Sequence, residues 1–156
     1  MEKALVYSEK LEPLYQLAYH LRQSGITYEV LSGEMTTKAR MRVTNRVADH
    51  TSPNPRLVLM PLRLGVGING LQGTAAGGGA NHVLFLDGYW NDATERQALG
   101  RALRPGQSRH VFSTKFLTYE TVEETVLNRN QHKQHLLTEL SGPGRPERGA
   151  TPTTPW

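Results

Sequence analysis

Two arginines and two glutamines stand at fixed spacing in residues 97–107, which read QALGRALRPGQ. Residues three or four positions apart lie on one face of a helix, so Gln97, Arg101 and Arg104 are predicted to project together. The dipeptide Pro105-Gly106 predicts that this helix ends abruptly. An arginine keeps its charge and presents a planar fork that matches phosphate oxygens. The pattern therefore indicates phosphate chemistry.

The elements that must position these side chains follow from the apolar pattern. Short apolar runs predict strands at 4–7, 28–31, 57–60, 83–86 and 111–117. Helical spacing predicts a first helix whose apolar face comprises Leu11, Leu14, Tyr15, Ala18 and Leu21, with Gly25 as its stop. Further helices are predicted at 36–48, 93–103 and 121–140. A capping box at 121–124 marks the start of the last one. This alternation indicates an α/β domain with a mainly parallel sheet flanked by helices.

Residues 97–107 resemble the last conserved helicase motif of Swi/Snf-type ATPases, the chromatin-remodelling branch of the superfamily-two helicases. The other segments that resemble this family are, in chain order, Ala4–Ser8, Ser32-Gly33 with Arg40 and Arg46, Asp87–Asn91, and Phe116–Glu124. These matches occur in the family's order and cover roughly residues 3–140. The resemblance implies a single RecA-like domain, the second or C-terminal helicase lobe, over residues 1–140. Residues 141–156 are rich in Pro, Gly, Thr and Arg, which predicts a disordered tail.

The resemblance also implies roles for individual residues. In the family, the arginines at Arg101 and Arg104 reach across a cleft to ATP, and the second acts as an arginine finger. ATP-binding positions fall on Gly65, Gly67, Asn69 and Gln97. DNA-binding positions fall on Ser8, Gly33, Arg40, Arg63, Trp90 and Asn91.

Two of these assignments have plain structural alternatives. Arg101 and Arg104 are also consistent with a solvated helix face paired with Glu95. Trp90 follows a predicted buried strand, where tryptophan usually packs in the core. The Trp90-Asn91 turn would in either case lead into the motif helix, with Asn91 or Asp92 as its N-cap.

The chain departs from the family around residues 60–64. Pro61 stands where the family has a threonine that contacts a DNA phosphate, and Leu64 replaces its first glycine. Proline has neither a hydroxyl nor a backbone N–H, so it is not expected to make this contact. Extra residues, rich in glycine, separate Asn69 from the strand at Val83, and this insertion is expected to be mobile.

Residues 65–70 also form a GxGxxG pattern after a strand, and Asp87 ends the next strand. This arrangement imitates a dinucleotide-binding fingerprint. That fingerprint requires a helix that begins at the glycines. Residues 71–80 contain four glycines, which disfavour a helix there. The helicase hypothesis is therefore preferred over the dinucleotide one.

Composition limits the function further. The chain has 156 residues, no cysteine and no long apolar run, which is typical of a soluble single domain and predicts neither a membrane partner nor a disulfide. Basic side chains concentrate in residues 36–63 and 96–115, each with a local net charge of +5. On charge alone, these blocks are equally consistent with a polyanionic partner and with a solvated basic surface. The motifs favour the polyanionic partner. His132 and His135 have no third ligand nearby, so no metal site is predicted.

The sequence contains neither a GxxxxGK[ST] phosphate loop nor an Asp-Glu-x-His magnesium box. In the family both belong to the first lobe, so ATP with its magnesium is expected to be held by a first lobe in cis or in trans. The chain alone is expected not to hydrolyse ATP. Three explanations could account for a second lobe without a first lobe: the chain is a fragment of a longer protein, a stand-alone relic or a partner subunit. Met1 favours a stand-alone product. The implied partners are DNA, contacted without sequence preference, and chromatin, with a nuclear location in a eukaryote and a cytoplasmic one otherwise.

Overall fold

Five strands form one parallel sheet in a computed structural model that describes residues 2–65, 68–74, 76–87, 92–118 and 120–140. The strands are β1 (Ala4–Ser8), β2 (Tyr28–Val30), β3 (Leu57–Pro61), β4 (His82–Phe85) and β5 (Phe112–Lys115). Their order across the sheet is β2-β3-β1-β4-β5, and every neighbouring pair is parallel. The predicted α/β class and parallel sheet are confirmed, and each predicted strand overlaps an observed one.

The helices are α1 (Leu11–Gln23), α2 (Thr37–Ala48), α3 (Asp92–Leu99) and α4 (Val122–Leu140), with a 3-10 helix at Leu62–Gly65. None of the described helices has the length and apolar character that crossing a membrane requires. The end of α1 shows how local sequence sets a boundary. Gly25 adopts a φ of +67°, and the amides of Gly25 and Ile26 donate to the carbonyls of Arg22 and Leu21. This is a Schellman cap, which requires the left-handed residue that glycine supplies.

The sheet divides the core into two parts because successive strand residues face opposite sides. On one side, Val6 and Leu59 pack with Leu14, Ala18 and Leu21 of α1. The other side is larger and combines strand residues with α2, α3 and the loop before β4. Its fully buried side chains include Leu5, Tyr7, Val47, Met60, Leu71 and Val83. The predicted periodic face of α1 was too wide, since Tyr15 is 55% exposed.

Helix α3 ends four residues earlier than predicted. It stops at Leu99, and Gly100 begins a series of tighter turns. The amides of Arg101 and Ala102 donate to carbonyls only three residues back, at Ala98 and Leu99. The prediction of a helix to 103 was therefore wrong. Glycine weakens a helix, and Pro105 shortly afterwards cannot continue one.

The glycine-rich insertion packs against α2 instead of projecting into solvent. The amide of Gly79 donates to the carbonyl of Val47 at 2.9 Å, and a bridge joins Gln72 to Ala80. A Cβ on Gly78 would lie 1.8 Å from the carbonyl oxygen of Ala48. The glycines of the insertion permit this close backbone approach, and the expected mobility of the insertion stays a prediction.

The capping of α4 also differs from the prediction. Thr121 Oγ1 accepts from the amide of Glu123 at 3.3 Å, and the Glu123 carboxylate accepts from the amide of Thr118. Glu123, rather than Glu124, is thus the acid that reaches back along the chain. Helix α4 begins close to the predicted residue, but through a shifted set of contacts.

Candidate functional site

Several predicted site residues lie at or just after the carboxyl ends of the parallel strands, among them Ser8 of β1, Gly33 after β2 and Arg63 after β3. Strand β1 ends at Ser8, and β4 is followed by Asp87. The Asp87 carboxylate accepts from the Ser8 hydroxyl at 2.6 Å and from the amide of Glu9 at 2.7 Å. These bonds fix the chain where it leaves β1, at the edge where open α/β sheets bind ligands.

Residues 100–106, here named the arginine turn, lie against the loop that follows the 3-10 helix. The Arg104 guanidinium donates to the Asn69 side-chain oxygen, and Arg101 Nη1 donates to the carbonyl of Ile68 at 3.4 Å. Arg104 Nε also donates to the carbonyl of Gly100 at 3.2 Å. The structure thus brings together the two predicted arginines and the predicted ATP-binding Asn69. They are joined by tertiary contacts and not by a shared helix face.

Tyr7, the fourth residue of β1, lies beneath the last turn of α3. It is fully buried, it stacks on Phe85 with ring centroids 5.7 Å apart, and its hydroxyl donates to the carbonyl of Ala98 at 3.4 Å. Burial raises the pKa of this hydroxyl well above its usual value of about 10, and the positive charges of Arg101 and Arg104 oppose the rise. Tyr7 therefore stays a neutral hydrogen-bond donor under the last turn of α3.

Glu95 is bound elsewhere and is not the partner of the arginines. Its carboxylate pairs with the ammonium group of Lys115 on β5, at 2.6 Å. Both side chains are largely buried, with 13% and 23% of their surface exposed. The alternative in which Glu95 neutralises Arg101 and Arg104 is therefore wrong. The ion pair instead fastens α3 to the edge strand.

Gln107 has a structural role that its place in the motif does not reveal. Its side-chain nitrogen donates to the carbonyls of Ala80 and Ala102, and its side-chain oxygen accepts from the amide of Arg109. A Cβ on Gly73 would lie 2.2 Å from that oxygen. Gln107 thus joins the arginine turn to the insertion and to the start of β4.

Two predicted DNA-contacting residues are held together at the end of β2. Arg40 Nη2 donates to the carbonyl of Gly33 at 2.7 Å, and this bond lies at the protein surface. Arg63, on the 3-10 helix, is exposed. Ser8 is buried and its hydroxyl is bound to Asp87, so a contact of this hydroxyl with DNA would require that bond to open. All four DNA assignments stay predictions.

The remaining predicted residues are placed only in part. Gly65 ends the 3-10 helix, and Gln97 is exposed on α3, one turn before the arginine turn. Gly67, Trp90 and Asn91 lie outside the described residues. No helix begins between residues 68 and 87 in the part of that stretch that the structure describes, as expected from its glycines. The dinucleotide-binding hypothesis accordingly lacks the helix that it requires.

Among the described residues, no cluster of three His, Asp or Glu side chains is arranged to hold a metal ion. The arginine turn, in contrast, suits an anion. Arg101 Nε is buried and has no hydrogen-bond partner among the described residues. A buried N–H without an acceptor is costly. The guanidinium groups of Arg101 and Arg104 are the groups of this turn that suit a phosphate.

Sequence reasoning missed Tyr7 and Lys115 as supports of this site. Tyr7 lies in an apolar strand, where an aromatic residue indicates only a core position. Lys115 belongs to a basic block that was interpreted as a surface. No local signal distinguishes either residue, because each acquires its role from a partner far along the chain.

Known proteins that resemble this chain in sequence include helicases and helicase-like factors. Residues 1–106 match the family model described as the helicase conserved C-terminal domain. The chain is 33% identical over 135 residues to transcription termination factor 2 of Drosophila melanogaster, covering 86% of this chain and 12% of that protein. It is 32% identical over 141 residues to the helicase-like transcription factor of Mus musculus, covering 90% of this chain and 13% of that protein.

A solved structure supports the same relationship. The C-terminal part of the Fun30 ATPase domain superposes with a TM-score of 0.70 at 25% identity, covering 81% of this chain and 38% of that one. The chain spans only about an eighth of the length of the two curated relatives. The family match, the parallel sheet and the ordered motifs all describe one lobe: the chain belongs to the helicase conserved C-terminal domain family and is similar to that lobe in Swi/Snf-type helicases.

Proposed function

We propose that this chain is the second lobe of a DNA-dependent, Swi/Snf-like ATPase, and that Arg101 and Arg104 act on ATP held by a first lobe. The observation that carries the proposal is the arginine turn. It holds two guanidinium groups next to each other on the α3 side of the sheet, against Ile68 and Asn69.

Enzymes catalyse phosphoryl transfer mainly by positioning the reactants and stabilising charge in the transition state, and less by forming covalent bonds with them. Negative charge spreads over the oxygens of the transferred γ-phosphoryl group, and a correctly placed arginine is worth about 10³–10⁵ in rate. Arg104 is the stronger candidate for this role, since its Nη1 contact with Asn69 is made to a side chain that ATP can displace. Arg101 would neutralise charge from a more buried position. Gly65, Gly67, Asn69 and Gln97 would line the nucleotide side of the same cleft.

The proposed function also implies that this lobe does not hydrolyse ATP by itself. The sequence has no phosphate loop and no Asp-Glu-x-His box, so the groups that hold ATP and magnesium must come from the first lobe. Magnesium would supply neutralisation of the phosphate charges when bound. This lobe's contribution is to close on the nucleotide and to bring the arginines to it.

The proposed DNA contacts are to the backbone. The basic block of residues 36–63 includes Arg40, whose guanidinium is held on the carbonyl of Gly33, and Arg63, which is exposed. Arginines placed in this way bind phosphates without reading base sequence. Ser8, Trp90 and Asn91 complete the proposed track.

The decisive experiment supplies the missing lobe. The chain is mixed with, or fused to, the first lobe of a related helicase, and DNA-stimulated ATP hydrolysis is measured. We expect activity, and we expect Arg104→Ala to lower kcat by about 10³-fold or more while KM for ATP changes little. Arg101→Ala should also lower kcat. Arg96→Ala removes the same charge from the exposed face of α3 and should retain activity.

A second candidate function is a degenerate lobe that binds DNA or a protein without supporting catalysis. Pro61 at the end of β3 and Leu64 in the 3-10 helix favour it, because they replace a phosphate-contacting threonine and a glycine of the family. The same experiment separates the two functions. A mixture that binds DNA but gives no ATP hydrolysis above that of the first lobe alone would establish the degenerate lobe.

A further inference from the structure

A groove crosses the amino edge of the sheet, where the strands begin. It consists of two adjoining cavities of about 450 and 470 Å³. Ile26 lines both, and the segment 54–57 passes from one to the other. We name these two cavities together the amino-edge groove. Among the cationic residues that line it, Arg46 and Arg56 belong to the basic block of residues 36–63 that is proposed to face a polyanion.

The walls of the groove are held in place by backbone hydrogen bonds. The amides of Arg56 and Leu57 both donate to the carbonyl of Thr27, at 3.0 and 3.3 Å, and the Thr27 hydroxyl donates to the Asn54 side chain at 2.6 Å. The carbonyl of Arg56 in turn accepts from the amide of Ala4. The groove is therefore built from the sheet itself, and pre-formed sites of this kind bind with little loss of conformational entropy.

The cationic side chains that line the groove differ in whether they already have hydrogen-bond or ion-pair partners. The buried ammonium group of Lys3 donates to the carbonyls of Arg46, Val47 and Asp49, and Arg46 is paired with Glu29. In contrast, Arg22 and Arg56 are exposed, and neither side chain makes a hydrogen bond or ion pair among the described residues.

The same two cavities have an apolar floor. Ala4 and Leu57 line the first cavity and Pro55 lines the second, with the 38% exposed side chain of Ile26 between them. Each cavity has room for at least one large apolar side chain.

We propose that the amino-edge groove binds an acidic peptide segment, with an apolar side chain on the Ile26 floor and carboxylates on Arg22 and Arg56. A nucleic acid fits less well, because a phosphate backbone cannot use the apolar floor. The chain's own residues 141–156 carry two arginines against one glutamate, so they lack the complementary charge. The occupant is therefore an acidic segment of another protein or of another domain.

The test uses a fluorescein-labelled peptide of about ten residues in which glutamates flank a central leucine, a length that spans at most about 35 Å when extended. Fluorescence anisotropy should show saturable binding to the full chain. The double variant Arg22→Ser with Arg56→Ser should weaken it at least tenfold, as removal of paired charges at an interface does. Ile26→Ser should weaken it too, and a peptide with glycine in place of leucine should bind the unsubstituted chain less tightly.

The control is a double variant that removes equal charge elsewhere. Lys38→Ser with Arg42→Ser removes two cations from α2 and should leave the affinity for the peptide nearly unchanged. Equal weakening by both double variants would overturn the proposal, because it would show only non-specific attraction. Absence of binding at low salt would also overturn it. Displacement of the peptide by duplex DNA in a manner that depends on Arg22 and Arg56 would assign the groove to nucleic acid instead.

Discussion

At the scale of single residues, the site depends on polar groups with distant partners. Tyr7 and Ala98 are 91 positions apart, yet the Tyr7 hydroxyl supports the last turn of α3 just before the arginines. Asn69 and Arg104 meet across 35 positions. Each of these groups is ordinary in isolation. Their function, as proposed here, comes from being held together by the folded chain.

Tyr7 should give the protein a distinctive response to alkaline pH. The unfolded Tyr7 hydroxyl ionises at about pH 10, whereas burial raises its pKa in the folded state. Between these two pKa values the unfolded state holds fewer protons, so the free energy of unfolding falls as pH rises. Tyr7→Phe should show a shallower fall, and it should be less stable by about 1 kcal/mol at neutral pH because the hydrogen bond is missing.

This difference can be measured by thermal denaturation of both proteins from about pH 8 to about pH 11, a range that brackets the usual tyrosine pKa of about 10. The exposed Tyr15 provides a control for the loss of a tyrosine hydroxyl, because Tyr15→Phe should change the free energy of unfolding at neutral pH by less than Tyr7→Phe does. Identical slopes for Tyr7→Phe and the unsubstituted protein would mean that Tyr7 is not held as a buried donor.

At the scale of elements, the glycine-rich insertion connects α2 with the segment that follows the arginine turn. It contacts the C-terminal end of α2 through Gly78 and Gly79, and Arg109 Nη2 donates to the carbonyls of both glycines. Lys3 donates to carbonyls of the same helix end. Cationic groups at a helix C-terminus satisfy its unpaired carbonyls and favour its dipole. The insertion is therefore a structural connection between α2 and the arginine turn.

This packing predicts a large difference between two glycine substitutions. Gly78→Ala would place a Cβ 1.8 Å from the carbonyl oxygen of Ala48, so the backbone must shift. We expect the free energy of unfolding to fall by about 1–3 kcal/mol, as for other overpacked sites. Gly33→Ala is the matched control, since a Cβ there meets no heavy atom within 4 Å.

Urea denaturation of the two variants gives both free energies. An unchanged midpoint for Gly78→Ala would mean that the insertion is as mobile as its composition suggests. In that case the contacts of Gly79 and Arg109 would contribute little to stability.

At the scale of the whole molecule, charge is arranged in two basic blocks on an otherwise acidic chain. The net charge is +4, while residues 36–63 and 96–115 each carry +5. Part of this charge is used internally, since Arg46 pairs with Glu29 and Lys115 with Glu95. The exposed remainder, which includes Arg63, is the part available to a polyanion.

We expect weak binding of the chain to duplex DNA, without sequence preference and with a steep fall as salt rises. Replacing Arg40 and Arg63 with serine should reduce the salt slope by about one unit for each phosphate that the protein no longer binds. The control replaces Glu123 and Glu124 on α4 and should not weaken binding. Fluorescence titrations of labelled duplexes at several salt concentrations measure these slopes. A complete lack of binding at low salt would assign the basic blocks to a solvated surface.

The class of the fold, the order of its elements and the family could all be read from the sequence. These properties depend on local signals, since apolar runs indicate strands, periodicity indicates helices, and the glycine that ends α1 needs only its own backbone conformation. The motif at 97–107 was likewise visible without coordinates. The end of the helix in this motif could not be predicted from the sequence. The helical spacing of Gln97, Arg101 and Arg104 suggests a helix that continues past Gly100, whereas the backbone forms tighter turns from that residue on.

Which side chains meet was set by the tertiary fold alone. It paired Glu95 with Lys115 instead of the arginines, placed Asn69 on Arg104, and packed the glycine-rich insertion onto α2. These outcomes depend on distances between residues far apart in the chain, and no local pattern encodes such distances. The amino-edge groove has the same origin, because it exists only where the starts of separate parallel strands lie side by side.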